Sequence, residues 1–298
     1  MAVSVYDEVD DERYQTSATR RPYYRRLSKT FGGRAVVSLF TSFTYDVELE
    51  HDDCDSLLNV LHQTDLRKGL VLLINSPGGD ILAAERIVNI CRSYSGTSDY
   101  WALVPGRAKS AATIVCLGAS KIIMAPSSEL GPVDPQVTLR EDGVTKYFSA
   151  VGLVQGYRDL FGKAVATTGS LEPYIQQLAR YDDREINKYE AWIALSESVA
   201  IKVLSTGIMN NIDEAEIKRK VGIFLEPKAG TQDHGRAISA REAEACGLNV
   251  EEIDLKSPGW KLMYDLYYRA DAYVSSRVSK LFESENEAFY ESRPKKRS

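Results

Sequence analysis

Two short stretches carry residue types suited to anion binding and acyl transfer. In "NSPGGD", residues 75–80, two glycines stand between an apolar run and a helix start. Glycine accepts the positive φ values that turn backbone N–H groups outward. Such groups at a helix start suit an anion, either a phosphate or the oxyanion of an acyl-transfer intermediate. A ligand-free strand–helix turn fits the same residues. The stretch lacks the Lys-Ser/Thr of a phosphate loop and the spacing of a dinucleotide fingerprint. In "AKSAAT", residues 108–113, Ser110 stands among alanines that leave its hydroxyl open to approach. Taken alone, Ser110 reads as a helix N-cap. Paired with the glycine stretch it reads as a nucleophile. Both turns lead from a strand to a helix, so Ser110 and Gly79 should emerge at one sheet edge. The N–H groups of Gly79 and Ala111 would then converge on one point.

The elements that must hold these turns are legible around them. "AVVSLF" (35–40) is a short β-rich run, and "GLVLLIN" (69–75) is continuously apolar, as a parallel strand buried on both faces would be. Asp80 caps the helix "ILAAERIVNICRSY", whose Ala84, Ile87, Val88 and Cys91 share a face. "YWALVPG" is the next strand, "SAATIVCLGA" a short apolar helix and "KIIMAP" another strand. This rhythm predicts α/β architecture built from parallel crossover units. Beyond "LGPVDPQV", residues 149–162 and 172–207 read as helices. A short helix starts near Ser239 and stops at Gly247, and residues 261–282 form a last amphipathic helix.

Bulk composition sets limits on function. The 298 residues are 44% hydrophobic and 27% charged with a net charge of −5, which suits a globular chain and argues against nucleic acid as main partner. Basic clusters at 19–26 and 293–297 read as solvated tails, and residues 1–30 as a polar N-terminal arm. No run approaches the roughly 20 apolar residues of a bilayer span, so membrane association is not indicated. Cys54, Cys91, Cys116 and Cys246 are scattered without CxxC spacing, as reduced thiols of a cytoplasmic protein would be. "EHDDCD" (50–55) holds metal-ligand atoms, but neighbours on a helix point in different directions, so no metal and no cofactor are expected.

Three segments, "LLINSPGGDILAAERI", "AKSAATIVCLGASKIIMAPSSELGPVDPQV" and "HGRAISAREAEACGLNV", resemble the Clp/crotonase superfamily. More closely, they resemble the serine dehydrogenase proteinase family, relatives of signal peptide peptidase A. The resemblance covers roughly residues 33–270. It implies a repeated ββα superhelical core with a parallel sheet, a helical arm and a C-terminal helix. The corresponding segmentation is an arm over 1–30, a peptidase domain over 31–260 and a helix with basic tail over 261–298. It further implies Ser110 as nucleophile, with Gly79 and Ala111 forming the oxyanion hole. Peptide or unfolded protein would be the substrate, processed by a homo-oligomer assembled through the helices of 149–207.

The base departs from the family pattern. Clp-type peptidases carry a His in the segment matching "LGPVDPQ" and an Asp before the "ISAREAEACGL" stretch. Here Asp134 takes the first place, while Asp233 and His234 stand in the second. The partners are then exchanged, with His234 as base and Asp134 as its orienter, since triads are defined by geometry and not chain order. The signal peptide peptidase A branch implies a Ser–Lys dyad instead, for which Lys146 is best placed and Lys163 and Lys202 less so. His51 and His62 read as surface residues, and Lys109 as pointing away from Ser110. Two other functions share the fold: a crotonase-like acyl-CoA thioester enzyme, and a non-catalytic oligomeric scaffold or adaptor.

Overall fold

The computed structural model describes residues 4–12, 15–141, 144–225 and 236–292, with the main chain alone at 139–141, 144–146 and 292. The chain opens with helices α1 (Val5–Asp11) and α2 (Ser17–Thr30), then strand β1 (Ala35–Thr41) and helix α3 (His51–His62). The unit that carries the first turn follows: β2 (Leu70–Asn75) and α4 (Ile81–Tyr94). The second turn lies in β3 (Tyr100–Val104), β4 (Arg107–Ala108) and α5 (Ala111–Leu117), and β5 (Lys121–Met124) and β6 (Glu129–Leu130) come next.

A hairpin, β7 (Gln136–Glu141) with β8 (Val144–Ser149), leads into α6 (Ala150–Ala166), α7 (Glu172–Leu178) and α8 (Asp183–Ser205). The remainder comprises α9 (Glu214–Lys220), α10 (Gly222–Leu225), α11 (Ala240–Ala245), β9 (Val250–Glu252), α12 (Pro258–Ser276), β10 (Val278–Glu283) and β11 (Ala288–Ser292).

The central sheet runs β11-β10-β1-β2-β3-β5-β9. β1, β2, β3, β5 and β9 are parallel, and β10 and β11 close one edge antiparallel. In β2 successive side chains enter opposite cores. Leu70, Leu72 and Ile74 pack with α3, α4 and α5, whereas Val71 and Leu73 pack with α2 and α12. This two-sided burial is why the strand is apolar from Leu70 to Ile74. A second layer rises from the strand ends, where β4 pairs with β6 and single bridges add Ser76 to Ala108 and Ile238 to Leu130. Both turns sit between these layers.

Three expectations need correction. Basic residues 19–26 are no solvated tail but the middle of α2, where Arg20 is 1% exposed and ion-pairs with buried Glu283 at 2.6 Å. Tyr24 and Leu27 of the same helix are buried on the sheet, which the charge run masked. The last helix ends at Ser276, and Val278–Glu283 is a strand, because VSKLFE is buried at every position against β1. Residues 172–207 hold two helices, since Asp182 accepts from the Arg184 N–H and starts α8 afresh.

α8 joins two cores. Its first half packs Ile186 and Tyr189 against Val137, Ala150 and Val154, and its second half inserts Val199, Val203 and Leu204 into the main core. The helices α6–α8 are thereby anchored to the sheet through a single continuous element. Among the described residues no helix is long and apolar enough to cross a membrane.

Candidate active site

Ser110 stands at the N-cap of α5 with φ 49° and ψ −123°. A non-glycine residue there costs about 1–3 kcal/mol, so the surroundings must impose it. Ser149, Ser239 and Ser257 cap their own helices by accepting from N–H groups two or three residues into the helix. The Ser110 hydroxyl makes no such bond. It has no hydrogen-bond partner among the described residues, and its side chain faces a cleft of about 430 Å³.

The glycine turn lies directly against it. Gly78 has φ 100°, and a Cβ there would come within 2.7 Å of the Ser110 Cβ and 2.9 Å of the Ala111 nitrogen. Gly79 has φ 150°, and a Cβ would meet the Leu49 nitrogen at 2.4 Å and its oxygen at 2.5 Å. Leu49 donates to the Gly78 carbonyl and accepts from the Asp80 N–H, each at 2.8 Å. Strand-like alternation leaves the Gly79 N–H on the opposite side. Among the described residues neither that N–H nor the N–H of Ala111 donates a hydrogen bond. Asp80 accepts from the Leu82 and Ala83 N–H groups, so its carboxylate serves the α4 cap.

The loop after β6 closes the other side. Thr113 donates to the Ala108 carbonyl at 2.8 Å and accepts from the Gly131 N–H at 3.1 Å, tying that loop to the start of α5. Asp134 is 2% exposed and accepts from Gln136 Nε2 at 3.2 Å, while Val133, Pro135 and Gln136 line the cleft. Lys109 turns from Ser110, its Nζ pairing with Glu129 at 2.8 Å and donating to the Leu130 and Arg236 carbonyls. Lys202 pairs with Glu85, and Lys163 is exposed near the end of α6. Exposed His51 lies 4.0 Å from Asp80, and His62 meets the Tyr94 hydroxyl. Lys146 lies in β8 opposite Leu139, and its side chain falls outside what is described. Asp233 and His234 lie outside the described residues.

The structure thus brings together Ser110, Gly79 and Ala111, with Asp134 buried in the neighbouring loop. Sequence reasoning missed the outer wall: Phe43, Tyr45, Asp46 and Glu48 from the loop after β1, and Trp192 and Leu195 from α8. Burial and the adjacent Asp46 and Glu50 raise the Glu48 carboxyl above its usual range. Only the helical spacing of Trp192 carried any signal, and that spacing reads equally as core.

Other reactive groups are committed elsewhere. Burial raises all four thiols, Cys54 to about 11, and none lines the cleft. In "EHDDCD", Asp53 bonds Lys280, Asp55 bonds Arg86, and Cys54 donates to the Ala83 carbonyl, so the donor atoms diverge.

A serine hydroxyl and two N–H groups, all without a partner among the described residues and all beside one cleft, form an arrangement that acyl transfer can use. Consistent with that chemistry, residues 36–144 match the family described as ClpP-like SDH-type serine proteinase. That span holds β1 through β7, and with them both turns. Two uncharacterized proteins of Methanocaldococcus jannaschii are 35% and 30% identical over 86 residues, 29% of this chain and 29% of each relative. A third protein of that archaeon, named "Putative protease MJ0651", is 24% identical over 217 residues, 72% of this chain and 68% of its own.

Proposed function

We propose that the chain is a serine peptidase that hydrolyses peptide bonds through an acyl-enzyme on Ser110. Ser110 Oγ attacks the scissile carbonyl while its proton passes to a base. The N–H groups of Gly79 and Ala111 receive the oxyanion. The protonated base then gives its proton to the departing amine, leaving an ester on Ser110. Water, deprotonated by the same base, attacks that ester and frees the acid and the serine. His234 oriented by Asp134 serves as base in this reading, and Lys146 is the alternative.

One observation carries the proposal: Ser110 holds a strained conformation whose hydroxyl its own helix does not use, open to a cleft beside two N–H groups that have no partner among the described residues. The family match supports the same chemistry. An extended peptide or unfolded segment suits the cleft, and the ββα superhelical reading of the core, with a peptidase domain over 31–260, goes with this function. So does assembly into a homo-oligomer through α6 and α7, where Phe161, Val165, Leu171 and Ile175 are exposed.

The test is fluorophosphonate labelling and peptide hydrolysis by the wild type and Ser110→Ala. Loss of both in the variant supports the reading. Acyl-CoA thioester turnover retained by Ser110→Ala would move the protein to the crotonase branch. A wild type that neither labels nor hydrolyses would make it a scaffold.

A further inference from the structure

Ser110 is held from both sides. Its C-terminal side runs into α5, and its N-terminal side, Arg107 to Lys109, is zipped to the glycine turn by three hydrogen bonds. Ser76 donates to the Arg107 carbonyl at 3.0 Å, and Lys109 donates to the Ser76 carbonyl at 3.0 Å. Those are main-chain bonds that many sequences would form. The third is not: the Arg107 N–H donates to Asn75 Oδ1 at 3.0 Å. Asn75 is 2% exposed, and its Nδ2 donates to Asp271 Oδ1 of α12 at 3.1 Å. The space around it is full, since a Cβ on Gly106 would come within 2.9 Å of Asn75 Oδ1 and 2.7 Å of the Tyr267 hydroxyl.

We propose that Asn75 is a positioning residue for Ser110, with Asp271 fixing which way its amide faces; this rests on the peptidase reading. A carboxylate oxygen only accepts and an amide nitrogen only donates. Facing Asp271, the amide must present Nδ2 to the carboxylate and leave Oδ1 for the Arg107 N–H. The bond sets the height of Arg107, three residues before Ser110, relative to Gly79 on the other turn. Nucleophile and oxyanion donor are thereby held in one frame, and a helix packed on the far face of the sheet takes part in setting it. Displacements of about 1 Å in such a frame cost up to about 100-fold in rate.

The experiment exchanges the two groups. Burial already raises the Asp271 carboxyl, so the assays are run at alkaline pH. There Asn75→Asp sets two ionised carboxylates together, and the like charges drive the side chains apart instead of sharing a proton. Adding Asp271→Asn restores both bonds, since the carboxylate introduced on β2 would accept from the Arg107 N–H and from the amide introduced on α12. Each protein is assayed where circular dichroism shows it folded, for kcat, KM and hydrogen exchange at the Arg107 amide. Asn75→Asp is expected to lower kcat about ten-fold or more with KM nearly unchanged, and to expose the Arg107 N–H to exchange. The double variant recovers kcat to within about three-fold and recovers protection. Undiminished kcat in Asn75→Asp overturns the positioning role. So does a folded double variant as slow as the single one. If Asn75→Asp fails to fold, Asp271→Asn alone takes its place. It removes the acceptor that orients the Asn75 amide and is expected to lower kcat and expose the Arg107 N–H, and unchanged values overturn the role. A wild type without hydrolysis or labelling overturns the peptidase reading itself, and this role with it.

Discussion

Ser110 takes the N-cap place of a seven-residue helix and leaves the capping bond unmade. The four serines at the other helix starts, Ser4, Ser149, Ser239 and Ser257, all use their hydroxyls. The difference is conformational, because φ 49° turns the Ser110 side chain away from its own helix. Gly79 answers it across the cleft, with no room for a methyl group beside Leu49. Gly79→Ala should therefore shift the donor and lower kcat about 100-fold or more, read in steady-state hydrolysis by folded protein. Asp46 and Glu48 are the charged residues lining the cleft, and neither has an ion-pair partner among the described residues. Peptides with Lys or Arg near the scissile bond should be cut faster than their Asp or Glu counterparts, and Glu48→Gln should narrow the gap. Because burial and neighbouring carboxylates raise the Glu48 pKa, the gap should also shrink on mild acidification, before an ordinary exposed carboxyl would protonate. An unchanged gap in both measurements would remove Glu48 from substrate choice.

At the scale of elements, the parts nearest the site were the most legible. The apolar run ending at Asn75, the Asp80 cap and the short helix after Ser110 each obey a local rule that tertiary packing did not override. Sequence failed where charge concealed burial. Arg20 reads as solvent-facing, yet it pairs with Glu283, accompanied by Tyr24, which donates to Ser38 at 2.6 Å. The strand after α12 looked like continued helix because its apolar residues suit either period, and only pairing with β1 decided it. The β7–β8 pairing has its sequence signal in Asp142-Gly143, which stands between two β-rich runs. The wall built by residues 42–49 has no periodicity to read. The α11 start, by contrast, is a full capping box, in which Glu242 accepts from the Ser239 N–H at 2.9 Å. That bond lowers the Glu242 pKa below 4.5, so its contribution is present above that value and is lost as pH falls through the depressed folded value. The stability difference between wild type and Glu242→Gln should accordingly shrink on acidification below about pH 4.5 in urea unfolding. A difference independent of pH would contradict this.

For the whole molecule, two cores share one sheet, and the two turns at Gly79 and Ser110 lie where a second strand layer leaves it. α12 covers the face opposite α4 and α5 and still reaches the site through Asp271 and Asn75. α8 reaches it from the other direction, bringing Trp192 and Leu195 to the cleft while its later turns sit in the main core. The α6–α7 helices extend from this frame with apolar side chains in solvent, Val165 at 72% exposure. In the proposed homo-oligomer, placing charges there, as in Phe161→Glu with Val165→Lys, should give smaller species than the wild type in sedimentation velocity. An unchanged sedimentation coefficient would remove this surface from assembly.

The most direct measurement is the site of covalent labelling by a fluorophosphonate. Mass spectrometry of the labelled wild type should place the adduct on Ser110, and Ser110→Ala should lose both adduct and peptide hydrolysis. Label on another residue, or hydrolysis that survives Ser110→Ala, would contradict the account.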